Sequence, residues 1–184
     1  MDKKETTGSV DQKQGITNES MDMAITFLQL MIFLILVVLF LATTVLLIPK
    51  IVVRWAPKDI QEKVLARPDG PLWKTISGIV LAFVILLCIA AVLFWTGWDA
   101  VQRNMGFSDI LVRYLILLEG YKLFDMVCFD YILLTKLNIF QKLFPETVGC
   151  KGYEKFGFNL KSQIIKLFVF AVISVVFAAV LSRA

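Results

Sequence analysis

Hydrophobic positions along this chain fall into four long runs separated by polar stretches. They cover residues 24–48, 76–98, about 107–137 and 164–182. Each run is long enough to cross about 30 Å of hydrocarbon at about 1.5 Å per residue. In lipid every backbone N–H and C=O needs an internal partner, so runs of this length predict helices. Alternation of period two, the mark of a membrane barrel, is absent. The first run is far longer than a signal-peptide core and ends at Ile48-Pro49-Lys50 without a small-x-small cleavage pattern, so it reads as a retained helix. The expected architecture is all-α: an integral membrane four-helix bundle over residues 23–184. The polar residues 1–22, nearly free of large apolar side chains, read as a disordered tail.

Composition narrows the chemistry. Of the 184 residues, 58% are hydrophobic and 18% charged, and none is histidine. That removes the commonest general base, proton switch and transition-metal ligand, which makes haem, zinc and His-dependent hydrolase mechanisms poor candidates. Cys88, Cys128 and Cys150 share no metal-ligand spacing, and the first two lie inside apolar runs as small hydrophobes. No catalytic residue, metal ligand or cofactor is assigned, and the enzyme reading is not favoured. The net charge of +4 lies beside the spans rather than along one face, so nucleic acid is not an expected partner.

The distribution of lysine and arginine sets the expected orientation. The stretch between the first two spans carries Lys50, Arg54, Lys58, Lys63, Arg67 and Lys74, and that between the last two carries Lys136, Lys142, Lys151, Lys155, Lys161 and Lys166. Outside these loops and the spans stand only Lys3, Lys4, Lys13, Arg103 and Arg183. Both basic loops are thus expected in the cytoplasm and both termini outside, in a multi-pass protein of the cell membrane. Trp55, Trp73, Trp95 and Trp98 flank span ends, where indoles favour the headgroup region.

The basic loops contain short amphipathic pieces. Ile60 and Val64 share one helical face, and Ile139, Phe140, Leu143 and Phe144 recur at helical spacing. Two readings stay open: helices resting on the inner leaflet, or solvated helices with a packed face. Gly78 and Ala82 form a small-xxx-small pair that permits close helix contact.

The third span holds most of the candidate chemistry. At about 100° per residue, Glu119, Lys122, Asp125 and Asp130 fall within an arc of about 140°. Lys122 stands three residues from both Glu119 and Asp125, so one ammonium could bridge two carboxylates. Asp109 and Arg113, four apart on the opposite side, are expected to pair. An unpaired ion at the helix centre costs about 2.5–3.5 kcal/mol, so the acidic face should turn into the bundle or a wet cavity, with Tyr121 and Tyr131 lending hydroxyls. It is either a polar cluster that fixes packing or a pathway for a ligand, ion or proton.

After this span comes Pro145-Glu146-Thr147-Val148-Gly149-Cys150-Lys151-Gly152-Tyr153, a glycine-punctuated loop, and then Phe156-Gly157-Phe158-Asn159. Lys151, Tyr153, Lys155, Phe156 and Phe158 suit a loop at the membrane interface that touches anionic headgroups. Gly149 and Gly152 could cradle a phosphate through their amides.

From Asp125 onward, about a fifth of the chain resembles a family of small bacterial four-helix membrane proteins of no established activity. That family's pattern has two aspartates five apart near the end of span three, then a Pro-Gly-Thr-Glu-Gly-like turn. A tyrosine and an aromatic-Gly-Phe-His segment follow. Here Asp125 and Asp130 keep the spacing, Pro145, Thr147 and Gly149 stand in the turn, and Tyr153, Phe156, Gly157 and Phe158 follow. Val148 replaces the turn glutamate and Asn159 the histidine, so half of any Asp-Asp-Glu-His site is missing. The resemblance implies topology rather than activity.

Three function classes follow. The first is a structural or accessory membrane component that packs with a membrane-protein partner or a second copy. The alternative is a small ion- or proton-coupled transporter using the charged third-span face. The remaining one is a lipid-processing enzyme with a divalent cation on Asp125 and Asp130, although five residues on a straight α-helix differ by about 140° and chelate one ion poorly.

Overall fold

The computed structural model describes the backbone of residues 4–154 and 160–183, with side chains over 21–54, 56–153 and 161–183. It is all-α: among the described residues there is no strand. The long helices are α1 (Lys4–Leu47), α4 (Leu72–Gln102), α5 (Phe107–Phe124) and α7 (Leu160–Leu181), and short helices α2 (Pro49–Val52), α3 (Lys58–Leu65) and α6 (Ile139–Leu143) lie in the connections. The α1 backbone continues back to Lys4, through the segment expected to be disordered.

Three segments are long and apolar enough to cross a membrane: Met21–Leu47, Leu72–Gln102 and Lys161–Leu181. These are multi-pass membrane proportions. Their surfaces agree, because large apolar side chains such as Phe94, Phe168 and Val180 are exposed along α4 and α7. Hydroxyls inside these helices are satisfied locally. Thr44, Thr96 and Ser174 each donate to a carbonyl one turn back, at 2.9 Å, which spares lipid an unpaired polar group.

The helix expected as the third span neither stops nor breaks at Gly120. It runs as α5 to Phe124 and continues as a π-helix over Asp125–Lys136. Its hydrogen bonds join residues five apart, and the Thr135 hydroxyl donates to the Asp130 carbonyl at 2.7 Å in the same register. Asn104 and Asn138 stand at the two ends with φ of 52° and 49°, left-handed positions that asparagine adopts at low cost.

Packing follows small residues and aromatic pairs. α1 lies against α4 and α5, α5 lies against α7, and α4 also touches α5 and α7. Gly78 and Ala82 are buried in α4. A Cβ on Gly78 would come within 2.7 Å of the Leu47 Cβ and 2.8 Å of Ile48 Cγ2, so the expected close approach is present and depends on glycine. Between α5 and α7, Tyr114 stacks on Phe177 with centroids 4.7 Å apart, and its hydroxyl donates to the Leu93 carbonyl of α4 at 3.1 Å.

The two connections on the Leu47 side fold onto each other. Ile60 and Val64 of α3 are fully buried against Val53, Phe140 and Phe144. Asp59 accepts the Gly152 N–H at 2.7 Å, and Arg67 pairs with Glu146 at 3.0 Å. Ile60, Val64, Phe140 and Phe144 of the two amphipathic pieces thus cover one another, while Leu143 of the same stripe stays 38% exposed.

Candidate polar site along the third helix

The charged groups of α5 and its π continuation sort into two clusters. At the Asp22 end, Arg113 is 3% exposed. Its guanidinium donates to Asp99 of α4 at 2.6 Å and approaches Asp22 of α1 at 3.9 Å. Arg103 completes the ring, meeting Asp22 at 2.6 Å and Asp99 at 2.9 Å. Two cations and two carboxylates thus tie three helices together. The Asp99 hydrogen bond holds the Arg103 guanidinium above its usual pKa. The expected Asp109–Arg113 pair does not form. Asp109 is exposed in the first turn of α5, where a carboxylate complements the helix N-terminus, and Arg113 turns inward to carboxylates on neighbouring helices.

The second cluster lies further along. Lys122 is 2% exposed and bonds Asp125 one turn on. It does not bridge to Glu119 as the spacing suggested; Glu119 Oε1 is buried without a hydrogen-bond partner. Asp130 accepts from the Gln163 side chain of α7, and it lies within electrostatic range of Asp125, Lys122 and Lys166. Tyr121 packs edge-on to Phe33 and Phe170, with centroids at 5.5 and 6.0 Å. Tyr131 does not join the cluster: it is 46% exposed, and the Lys136 ammonium sits 5.4 Å from its ring centroid.

The π-helix revises one geometric argument. In its i→i+5 register Asp125 and Asp130 come nearer to one face than the about 140° of a straight α-helix. Two carboxylates do not make a cation cage. Their partners here are Lys122 and Gln163, and among the described residues no three His, Cys, Asp or Glu side chains gather as metal ligands.

The expected interface loop is built differently. The Tyr153 hydroxyl lies 2.6 Å from that of Thr147, itself fully buried, and the ring packs near Phe140. Burial raises the Tyr153 phenol above its usual pKa despite the Thr147 hydrogen bond, which lowers it. Tyr153 is thus one of the contacts that tie the paired loops together. Lys151 is exposed, whereas Lys155, Phe156 and Phe158 lie outside the described residues. The phosphate cradle is also replaced, because the Gly152 amide already serves the Asp59 carboxylate.

Four participants escaped sequence reasoning. Asp22, at the end of the polar tail, and Asp99, just beyond the second apolar run, both face Arg113. Gln163 lies just ahead of the fourth apolar run. Gln29 sits within the first run, fully buried, with both side-chain amide atoms unpartnered. A lone glutamine inside an apolar run was a readable signal. No protein-family model, curated protein or solved structure matches the chain.

Proposed function

We propose that this is a four-pass membrane protein, with Phe107–Lys136 as its third span, that serves as a structural or accessory component packing with a membrane-protein partner or a second copy. The four-helix bundle, cytoplasmic loops and external termini belong to this reading. The observation that carries it is the use made of the third helix's charges. Arg113 is spent on Asp99 and Asp22, and Asp130 on Gln163. A charge in this position costs a few kcal/mol to insert; here it returns helix-to-helix ties rather than an open binding site.

The test is the state of the full chain after mild detergent extraction. A discrete species larger than one chain, retained through purification and lost when exposed residues of α4 or α7 such as Phe94 and Phe168 are replaced by alanine, is the expected result. A monodisperse single chain that is unaffected by those changes would remove the reading.

One observation favours the transporter alternative. Glu119 Oε1 and both amide atoms of Gln29 are buried polar atoms without partners, and such groups invite water, an ion or a proton. Reconstituted protein should then pass ions or protons, and Glu119→Gln should abolish the flux while the fold stays intact.

A further inference from the structure

A cavity of about 490 Å³ opens where α1 ends, α4 begins and the turn after α3 closes over them. That is within the range of ligand-binding clefts. Three cations line it: Lys50, Arg67 and Lys74. One carboxylate, Asp69, lies among the lining residues as well, and Leu47, Ile48, Leu143 and Phe144 supply apolar wall. The cavity therefore has a cationic part and a greasy part, the two environments that a phospholipid presents at once.

Its depth fits as well. The candidate spans Met21–Leu47 and Leu72–Gln102 both terminate at this cavity. Leu72 and Trp73, beside it, are 74% and 71% exposed, and an exposed indole at a span end marks the headgroup region.

The charges are not fully committed. Lys50 donates to the Arg67 carbonyl at 2.6 Å and reaches Asp69 at 2.6 Å, but the Asp69 side chain is 88% exposed, a loosely held surface counterion. Arg67 already faces Glu146 and lies over Phe144, so it contributes field more than a free donor. Lys74 makes no ion pair among the described residues. It stands in the first turn of α4, whose N-terminus has no side-chain cap, so backbone amides add to the local positive potential.

We infer that this cavity binds the phosphate-bearing headgroup of an anionic phospholipid in the leaflet on the loop side, with Lys50 and Lys74 meeting the phosphate and the α1 end contacting the acyl chains. Basic pockets at helix ends hold lipid headgroups in this manner. The inference rests on the membrane-spanning reading but not on any accessory role.

The test uses the full chain, delipidated in detergent and then exposed separately to phosphatidylglycerol, phosphatidylcholine and inorganic phosphate. Bound lipid is counted by native mass spectrometry, and thermal stability is followed in parallel. Phosphatidylglycerol should be retained several-fold more than phosphatidylcholine. Lys74→Gln, which breaks no ion pair among the described residues, should reduce that retention about fivefold. Lys74→Arg should restore it, and Lys58→Gln, an exposed lysine away from the cavity, should leave it unchanged. Equal retention of the two lipids, or no effect of Lys74→Gln, overturns the inference. Stabilisation by inorganic phosphate alone, equal to that by phosphatidylglycerol, overturns the lipid assignment. Failure of the spanning reading would look different: the chain would stay in solution without detergent before any lipid was added.

Discussion

The Arg113 guanidinium donates to the Asp99 carboxylate at 2.6 Å, across two helices that the sequence joins by a polar turn. Both side chains are largely buried, at 4% and 16% exposure. Losing Arg113 removes one of two cations and its charged hydrogen bond while Arg103 still faces Asp99 and Asp22, which costs about 1.5–3 kcal/mol. Arg113→Ala is therefore expected to lose stability on that scale in detergent-mediated unfolding. Asp109→Asn, at the exposed position four residues away, should stay within about 0.5 kcal/mol of the parent.

Close packing of α4 on α1 gives a second prediction. The methyl introduced by Gly78→Ala would lie 2.7 Å from Leu47 Cβ, an atom fixed to the backbone and unable to swing aside. Overpacking of this kind costs about 1–3 kcal/mol. Gly70→Ala meets nothing within 4 Å and is the matched control in the same unfolding measurement.

These two contacts differ in how readable they were. Gly78 and Ala82 announce themselves by spacing, because a close approach needs only small residues on one helical face. The same applies to the three apolar helices, whose length and composition suffice. Arg113 was assigned to Asp109 because spacing within one helix is visible in a sequence, while Asp99 and Asp22 become neighbours only once helices pack. Lys122 had two carboxylates at equal spacing, and only the structure separates Asp125 from Glu119. The π register after Phe124 has no sequence marker, so α-helical spacing overstates the angle between Asp125 and Asp130. Ile60, Val64, Phe140 and Phe144 were recognised as amphipathic stripes, but a stripe does not say whether lipid or another loop will cover it.

The paired loops make a third prediction, sensitive to alkaline pH. Burial raises the Tyr153 pKa above its unfolded value, so the fold favours the neutral phenol. Its contribution is complete below the unfolded pKa, about 10, and is lost as pH rises through the higher folded value. The difference in tyrosinate absorbance between wild type and Tyr153→Phe should show an ionisation above that of free tyrosine. An ionisation at or below the free value would contradict the buried Thr147–Tyr153 contact.

Glu119 separates the two functional readings. If the third helix's charges act as ties, Glu119→Gln removes no ion pair and should unfold at the same or a higher detergent concentration. It should also leave the assembled species unchanged. Proteoliposomes of wild type and variant should then show equal ion leakage, at the background of empty vesicles. A wild-type flux that the variant loses would transfer the case to the transporter reading.

The four-pass proposal requires that Phe107–Lys136, charges included, cross the membrane. Asn104 and Asn138, exposed residues at its two ends, give the most direct measurement. In a background with Cys88, Cys128 and Cys150 replaced, single cysteines at the two positions are treated with a membrane-impermeant thiol reagent in sealed, oriented vesicles. Only Asn104→Cys is expected to react from the face that carries the termini, and Asn138→Cys to react only after the vesicles are opened. Labelling of both positions from the same side of sealed vesicles would contradict it.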